Sequence, residues 1–436
     1  MNAVILAVAI MLALSVMRVN VVLALFVGAM TGGIVGGLDI TTTLDAFTKG
    51  LGGGASIAIS YGMLGAFAMA ISASGIPEWL ASKIIKRVNS AKNVQGIRLS
   101  LLASILLMAF SSQNLVPVHI AFIPILIPPL LGVFNTLNLD RRVVASTITF
   151  GLTATYMLVP IGFGNIYLTQ ILAGNLKTNG LDIDPSMMPV AMALPVFGMF
   201  LGLMVAIFWT YRKPRTYRTE NSSVEATEVK LNTKSVVASL IGVVLALGIQ
   251  LQTGSMALGA AAGFLSMIIG GVVNWREADD VFAQGIRMMA LCGFIMISAS
   301  GFAEVLRTTG DIPELVSVVE TMVMGNQGLA ALMMLLVGLC ITMGIGSSFS
   351  TIPIIATLYV PLALSLGFSP LATAALVGTS GALGDAGSPA SDSTIGPTAG
   401  LGVDGQHDHI RDSVIPTFLH YNLPMIAFGW VAAMML

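Results

Sequence analysis

SSQNLVP, residues Ser111–Pro117, interrupts an apolar run that extends over 97–134. Such a run is too long for one helical crossing of about 20 residues, and its midpoint is polar. It reads as a re-entrant hairpin that enters the bilayer, turns at the polar tip and leaves on the same face. Backbone that departs from helix at membrane depth is tolerated only where protein or a cavity covers it. A second long run, 327–366, has the same form, with SSFSTIP at Ser347–Pro353 as its tip.

Outward from these tips the chain repeats itself. MLALSV (Met11–Val16) returns as VLALGI (Val244–Ile249), and IVGG ending at Gly37 returns as IIGG ending at Gly271. DAFTKGL (Asp45–Leu51) returns as DVFAQGI (Asp280–Ile286), and GIPEWL (Gly75–Leu80) as DIPELV (Asp311–Val316). The offset drifts in order from 233 at Met11 to 236 at Ser111. Solenoid repeats are far shorter. A duplicated half in a chain that is 56% hydrophobic and 9% charged fits a membrane transporter built from two structural repeats. A net charge of −1 argues against a nucleic-acid partner. Cys292 and Cys340 lie in apolar segments and read as packed thiols. Met1–Met17 has no basic residue before its apolar run, so it reads as a first membrane helix and not as a cleaved leader.

Apolar runs place further spans near 1–17, 20–37, 51–75, 143–173, 189–211, 235–252, 255–273, 287–306, 370–400 and 414–436. The expected fold is an all-α polytopic membrane protein. Residues 1–211 form one repeat, 212–234 a polar linker, and 235–436 a second repeat of inverted topology. Each repeat has five transmembrane helices and one hairpin, and carries a broken helix at 143–173 or 370–400. In this arrangement sixteen Lys and Arg fall on one face and three on the other, with Arg287 at a span start. The positive-inside rule makes the first face cytoplasmic, so both termini are expected outside a cell (inner) membrane. Ile76–Asn89 is expected as an amphipathic interfacial helix and Ile312–Met324 as its outer counterpart, although a surface connector explains either segment as well.

Four interruptions hold the polar chemistry: the two hairpin tips, Pro160–Asn165, and the longer Gly384–Thr394 with Pro397 beyond it. The N-terminus of a half-helix attracts anionic groups, while freed carbonyls and Ser, Thr or Asn oxygens suit a small cation. Asp385 and Asp392 are the only carboxylates in these four segments. They serve either to cap half-helices or to bind an ion or substrate. Candidate substrate residues are Ser112, Gln113, Asn114, His119, Asn165, Ser348, Thr351, Asp385 and Asp392. Candidate sodium ligands are Ser111, Asn114, Gly162, Gly164, Ser347, Ser350, Ser388, Ser391 and Thr394. Glu304 and Arg307 are spaced to pair with each other. His407-Asp408-His409 has no further ligand at metal-site spacing, so it reads as a polar loop beside an inner gate. No catalytic or phosphate-cradling motif occurs, so the chain is not expected to be an enzyme.

With SSQN and SSFST tips, two broken helices and GDAGSPASDSTIGPTAGLGVDGQHDHIRDSVIPTFLHYNLP at Gly384–Pro424, the chain resembles the ion transporter superfamily, and within it the NhaC-like sodium/proton antiporter family. The last segment resembles a branch regarded as amino-acid uptake transporters, histidine among the suspected substrates. The resemblance implies homodimers, elevator-type movement of the hairpin-bearing domain, and sodium sites at the hairpin tips. Carboxylate-transporting members carry Ser-Asn-Thr at the tips, where this chain has Ser112-Gln113-Asn114 and Ser348-Phe349-Ser350-Thr351. The expected function is ion-coupled amino-acid uptake, driven by sodium or protons. The alternative is sodium/proton antiport without an organic substrate.

Overall fold

The computed structural model describes residues 2–17, 19–76, 79, 94–115, 119–161, 163–218, 232–311, 314 and 325–436. Among these residues the secondary structure is helical and contains no strand. The first half runs α1 (Ala3–Val16), α2 (Val21–Val35), α3 (Ile40–Ser72), α4 (Val94–Phe110), α5 (His119–Thr136), α6 (Arg141–Leu158), α7 (Phe163–Thr178) and α8 (Met188–Val205). The second runs α9 (Thr233–Thr253), α10 (Met256–Ile269), α11 (Ala278–Thr309), α12 (Gln327–Ile345), α13 (Ser348–Ser365), α14 (Pro370–Leu383), α15 (Asp392–Leu401) and α16 (His409–Met435). The ends of these helices follow local chemistry. Asn20, Asp39, Asp140, Asn232, Ser255, Asn326, Ser369 and Ser391 each accept a hydrogen bond from a first-turn amide of the helix they precede.

Among the described residues six helical stretches are each long and apolar enough to cross a bilayer, and a seventh is gained if α6 and α7, bent by 52° at their junction, count as one span. The expected spans 1–17 and 20–37 emerge as helices of 14 and 15 residues, the second capped at its start by Asn20 and closed by the glycines at 36–37. The expected span 51–75 begins sooner, at Ile40, because Asp39 caps it there. The resulting 33-residue helix is about 50 Å long at 1.5 Å per residue, well over the ~30 Å hydrocarbon core, so it must tilt or project. Helix α11, expected at 287–306, extends likewise to 32 residues.

The two long helices α3 and α11 pack with their backbones in contact. A Cβ on Gly285 would lie 2.2 Å from the Ala66 nitrogen, one on Gly65 would lie 2.3 Å from the Gly285 carbonyl, and one on Gly50 would lie 2.5 Å from the Ser300 carbonyl. The helices therefore cross antiparallel. Shifting by 235 residues exchanges the contact pairs 50/300 and 65/285.

Both polar-tipped runs fold back on themselves. Arg98 donates from Nε and Nη2 to the Leu137 carbonyl, so the open ends of α4 and α5 meet. Gln327 Nε2 donates to the Leu366 carbonyl at 2.7 Å and closes α12 on α13 in the same way. Each clasp spans 39 residues. The clasps lie in different polar clusters. The first adjoins the turn at 138–142, whereas the second adjoins the C-terminus, where Ser369 Oγ donates to the Leu436 carbonyl.

Residues 76 and 79 excepted, the expected interfacial helix Ile76–Asn89 lies outside the described residues, as does most of Ile312–Met324. The linker is described only at its two ends. Its first residues are fastened to the start of α16 and to the loop before it: Arg215 Nη1 donates to Asp412 Oδ1 at 2.7 Å, and Arg218 N donates to Gln406 Oε1 at 2.6 Å.

Candidate functional site

The second hairpin tip and the second helix break come together around Asp385. Helix α12 ends at Gly346, whose φ of 74° suits a residue without a side chain, and a Cβ there would stand 2.7 Å from the Ala390 carbonyl. The chain can therefore turn into α13 directly against the 384–391 break. The first residue of α13, Ser348, and the cap of α15, Ser391, both reach Asp385. Ser391 Oγ donates to Asp385 Oδ1 at 2.6 Å and Ser348 Oγ to Oδ2 at 3.2 Å. Helix α6 supplies a third hydroxyl: Tyr156 OH donates to Oδ2 at 2.5 Å and lies 3.1 Å from Ser348 Oγ. Two helix N-termini thus converge on one buried carboxylate, with their partial positive charges facing it. No Lys, Arg or His side chain pairs with Asp385 or Asp392 among the described residues.

Asp392 opens α15 and accepts a hydrogen bond from Tyr61 OH of α3 at 3.2 Å. This contact joins the long-helix pair to the hairpin-bearing part of the fold. Thr149 Oγ1, on the Tyr156 face of α6, donates to the Ser393 carbonyl at 2.7 Å. Thr153 lies between them at helical spacing, fully buried, with a hydroxyl that has no partner among the described residues. Asn422 in α16 is also fully buried, and neither its amide oxygen nor its nitrogen has a partner among the described residues. Its Nδ2 lies 2.8 Å from where a Cβ of Gly387 would stand, which places it beside the break. Buried polar groups without partners are rare and call for an occupant or a water.

Other candidates are already engaged. Ser388 Oγ donates to the Met343 carbonyl and accepts from Ala390 N, both at 3.0 Å. Thr394 Oγ1 donates to the Ser388 carbonyl at 2.6 Å, and Thr351 Oγ1 to the Ser347 carbonyl at 2.8 Å. These bonds hold the break and the tip in shape, and lone pairs on each oxygen remain open to a cation. The Ser347 side chain makes no capping bond.

The first hairpin tip packs on α6 and on the start of α7. Ser111 and Ser112 donate back to Leu107 and Ala109, whereas buried Gln113 has no partner for Oε1 among the described residues. Asn165 is exposed, and Gly164 is buried beside it. No hydrogen bond links Ser111, Ser112, Gln113 or Asn165 to the Asp385 cluster among the described residues. Gly162 and the side chains of Asn114, His119 and Ser350 lie outside what the structure describes.

Below α15 a cavity of about 720 Å³ opens between the long helices and the loop that follows it, lined in part by Met69, Arg287, Thr398, His407, Asp408 and Arg411. His409 connects this cavity to the break, with Nε2 2.9 Å from the Pro389 carbonyl and Nδ1 2.8 Å from Thr398 Oγ1. The expected polar loop at His407–His409 therefore does border an opening. Glu304 lies 3.8 Å from Arg307, as its spacing suggested, and pairs more closely with Lys49 at 2.7 Å.

Sequence reasoning missed Tyr156, Tyr61, Thr153 and Asn422. Helix α6 did carry a signal, since Thr149, Thr153 and Tyr156 form a polar stripe at i, i+4, i+7 inside an apolar span.

A polytopic helical fold with a buried, hydroxyl-bound carboxylate at a helix break is that of a membrane transporter. A sequence profile of the Na+/H+ antiporter family matches residues 147–430, and a second Na+-H+ antiporter family profile matches 2–88. The chain is 56% identical to "Uncharacterized membrane protein VP2115" of Vibrio parahaemolyticus, over the whole of both chains. It is 48% identical to "Putative amino acid transporter YuiF" of Bacillus subtilis, also over the whole of both. Among solved structures it is similar to the Alcanivorax borkumensis YdaH transporter, with a TM-score of 0.44 at 15% identity over 90% of this chain and 87% of that one. The chain belongs to the Na+/H+ antiporter family. It is an ion-coupled membrane transporter, with Na+ or H+ as coupling ion, and not an enzyme.

Proposed function

We propose that this transporter takes up an amino acid, histidine-like in the first instance, coupled to sodium or protons. The observation that carries the reading is Asp385, a buried carboxylate held by hydroxyls from three separate segments with no cationic side chain beside it. An ionised carboxylate at membrane depth costs several kcal/mol unless something compensates it. Three hydroxyls offset part of that cost and leave lone pairs for a cation. A free amino acid brings both charges the site lacks. Its ammonium pairs with Asp385 or Asp392, and its carboxylate meets the N-termini of α13 and α15. The printed name of the Bacillus subtilis relative agrees with this choice.

Ser347, Ser350, Ser388, Ser391 and Thr394 supply oxygens for a coupling ion at this break, with Thr153 and Asn422 added to the set. Ser111, Asn114, Gly162 and Gly164 remain candidates for a second ion at the first tip, with Ser112, Gln113, His119 and Asn165 beside them. The hairpins and broken helices move as one body past α3 and α11, and the Tyr61–Asp392 contact breaks and reforms. The protein works as a homodimer in the cytoplasmic membrane. Each repeat has five crossings, the two repeats are inverted, and both termini are extracytoplasmic.

The second reading is sodium/proton antiport without an organic substrate. It is favoured by the family match and by the absence of any cationic partner for the two aspartates among the described residues. Uptake of labelled amino acids into proteoliposomes under an imposed sodium gradient, with internal pH recorded, separates the two. Accumulation against a gradient, lost in Asp392→Asn protein that still folds, is the expected result. Sodium-driven proton efflux with no accumulation across a full amino-acid panel would replace the first reading by the second.

A further inference from the structure

A groove of about 450 Å³ lies between the start of α4, the turn after α5 and the residues that follow α8. Three cations line it: Arg98, Arg212 and Lys213. None of them has a carboxylate partner among the described residues. The acid in the groove, Asp140, is taken by Arg142, which reaches it with Nε at 3.0 Å and Nη2 at 2.6 Å. Arg98 is fixed by its clasp on the Leu137 carbonyl, so its charge forms part of the wall.

The position of the groove along the membrane normal follows from its helix. Arg212 and Lys213 come directly after the apolar stretch Pro185–Thr210, which is long enough to cross the bilayer, so their charges stand at headgroup depth. Beside them Phe208 is 50% and Trp209 77% exposed, and Leu99 on α4 is 37% exposed. The Arg212 guanidinium lies 5.9 Å from the Trp209 ring centroid. Tryptophan at the interface and apolar side chains below it are what a lipid-facing surface presents. A soluble anion would find the cations but would have no use for the exposed apolar strip.

We propose that this groove binds the phosphate of an anionic phospholipid, held by Arg98, Arg212 and Lys213, with the acyl chains running along Leu99 and Phe208. Basic pockets between membrane helices at headgroup depth suit such lipids. The inference does not depend on which substrate is carried.

The test uses the full-length protein purified in a zwitterionic detergent-lipid mixture, with thermal unfolding followed as phosphatidylglycerol or phosphatidylcholine is titrated in. Phosphatidylglycerol raises the midpoint of the wild type and phosphatidylcholine does not. In the Arg212→Gln/Lys213→Gln protein the starting midpoint is kept, because both side chains are exposed. Its apparent affinity for phosphatidylglycerol falls on the order of 30-fold, about 1 kcal/mol per removed charge. Lys213→Glu alone gives a loss in the same direction. Equal stabilisation by phosphatidylcholine, or an unchanged response in the double variant, overturns the proposal. Inorganic phosphate reproducing the full shift also overturns it, and makes the groove a soluble-anion site.

Discussion

At the scale of single residues, the Asp385 cluster separates groups that hold shape from groups that wait for a partner. Tyr156 does the first: a hydroxyl bond to a carboxylate contributes ~1.5–3 kcal/mol. Tyr156→Phe is expected to leave the fold intact and to weaken coupling-ion affinity by about 10- to 100-fold, read as the sodium or proton dependence of uptake. An unchanged ion dependence would remove Tyr156 from the site. Asn422 behaves in the opposite way. A buried amide with both atoms unpaired costs about 1–3 kcal/mol, so Asn422→Leu, which has the same branching and number of side-chain heavy atoms, raises the unfolding midpoint without ions. If Asn422 is a ligand, the same substitution abolishes the extra stabilisation given by sodium over potassium. A variant that is more stable yet keeps the full sodium response would show that the amide serves neither ion nor substrate.

Among elements, the α3–α11 crossing is where packing leaves least room. Gly285→Ala would drive a methyl into the Ala66 backbone at 2.2 Å, and backbone cannot move aside as a flexible side chain can. Overpacking of this kind costs about 1–3 kcal/mol or more. The expected outcome is a sharp drop in the amount of folded protein recovered. Gly52→Ala on the other helix of the pair, α3, meets nothing within 4 Å and gains helix propensity of about 0.5–1 kcal/mol, so its midpoint holds or rises. Equal behaviour of the two variants would refute the close crossing. The sequence foreshadowed much at this scale. That each long run folds back on itself was legible because SSQN and SSFST interrupt runs too long for one crossing, and the helix breaks because Pro160 and Pro389 stand among glycines. Helix ends were less so: hydropathy alone could not reveal that Asp39 starts α3 eleven residues ahead of the apolar run that marked it. Tyr61, Tyr156 and Asn422 were hidden for a related reason. Each looks like an ordinary amphipathic residue in an apolar helix until tertiary contacts bring it to a break from far along the chain.

For the molecule as a whole, one polar end is built to depend on pH. Arg141 is fully buried and grips Asp404 through both terminal nitrogens at 2.6 Å, and Nη1 also bonds the Leu401 carbonyl at the end of α15. The start of α6, the first linker residues and the loop after α15 are tied together here, while the N-terminus is fastened elsewhere through Ala3 N to Asp311 Oδ2. Burial alone would raise the Asp404 carboxyl, but the Arg141 bonds and charge outweigh it and hold the group below its usual range. Burial pushes His407 down to about 4, against the pull of Asp412 and with help from the positive charge of Arg141. Both groups act in one direction. Between pH 6.5 and about 4 the unfolded chain takes up a proton that folded His407 refuses, so stability is full above pH 6.5 and declines as pH falls through that window. Asp404 contributes stability above the ordinary carboxylate range and loses it only at lower pH, as its depressed value is crossed. The slope from one such histidine is at most about 1.4 kcal/mol per pH unit. The unfolding midpoint of the purified protein should therefore fall steadily from pH 6.5 to 5, before most carboxylates titrate. His407→Gln, which keeps a neutral polar group near Ser413 Oγ, should flatten that segment and leave the steeper loss below pH 4 in place. A midpoint that stays level from pH 6.5 to 5 in the wild type, or an identical slope in the variant, would mean that His407 already exchanges protons freely with the cavity it borders.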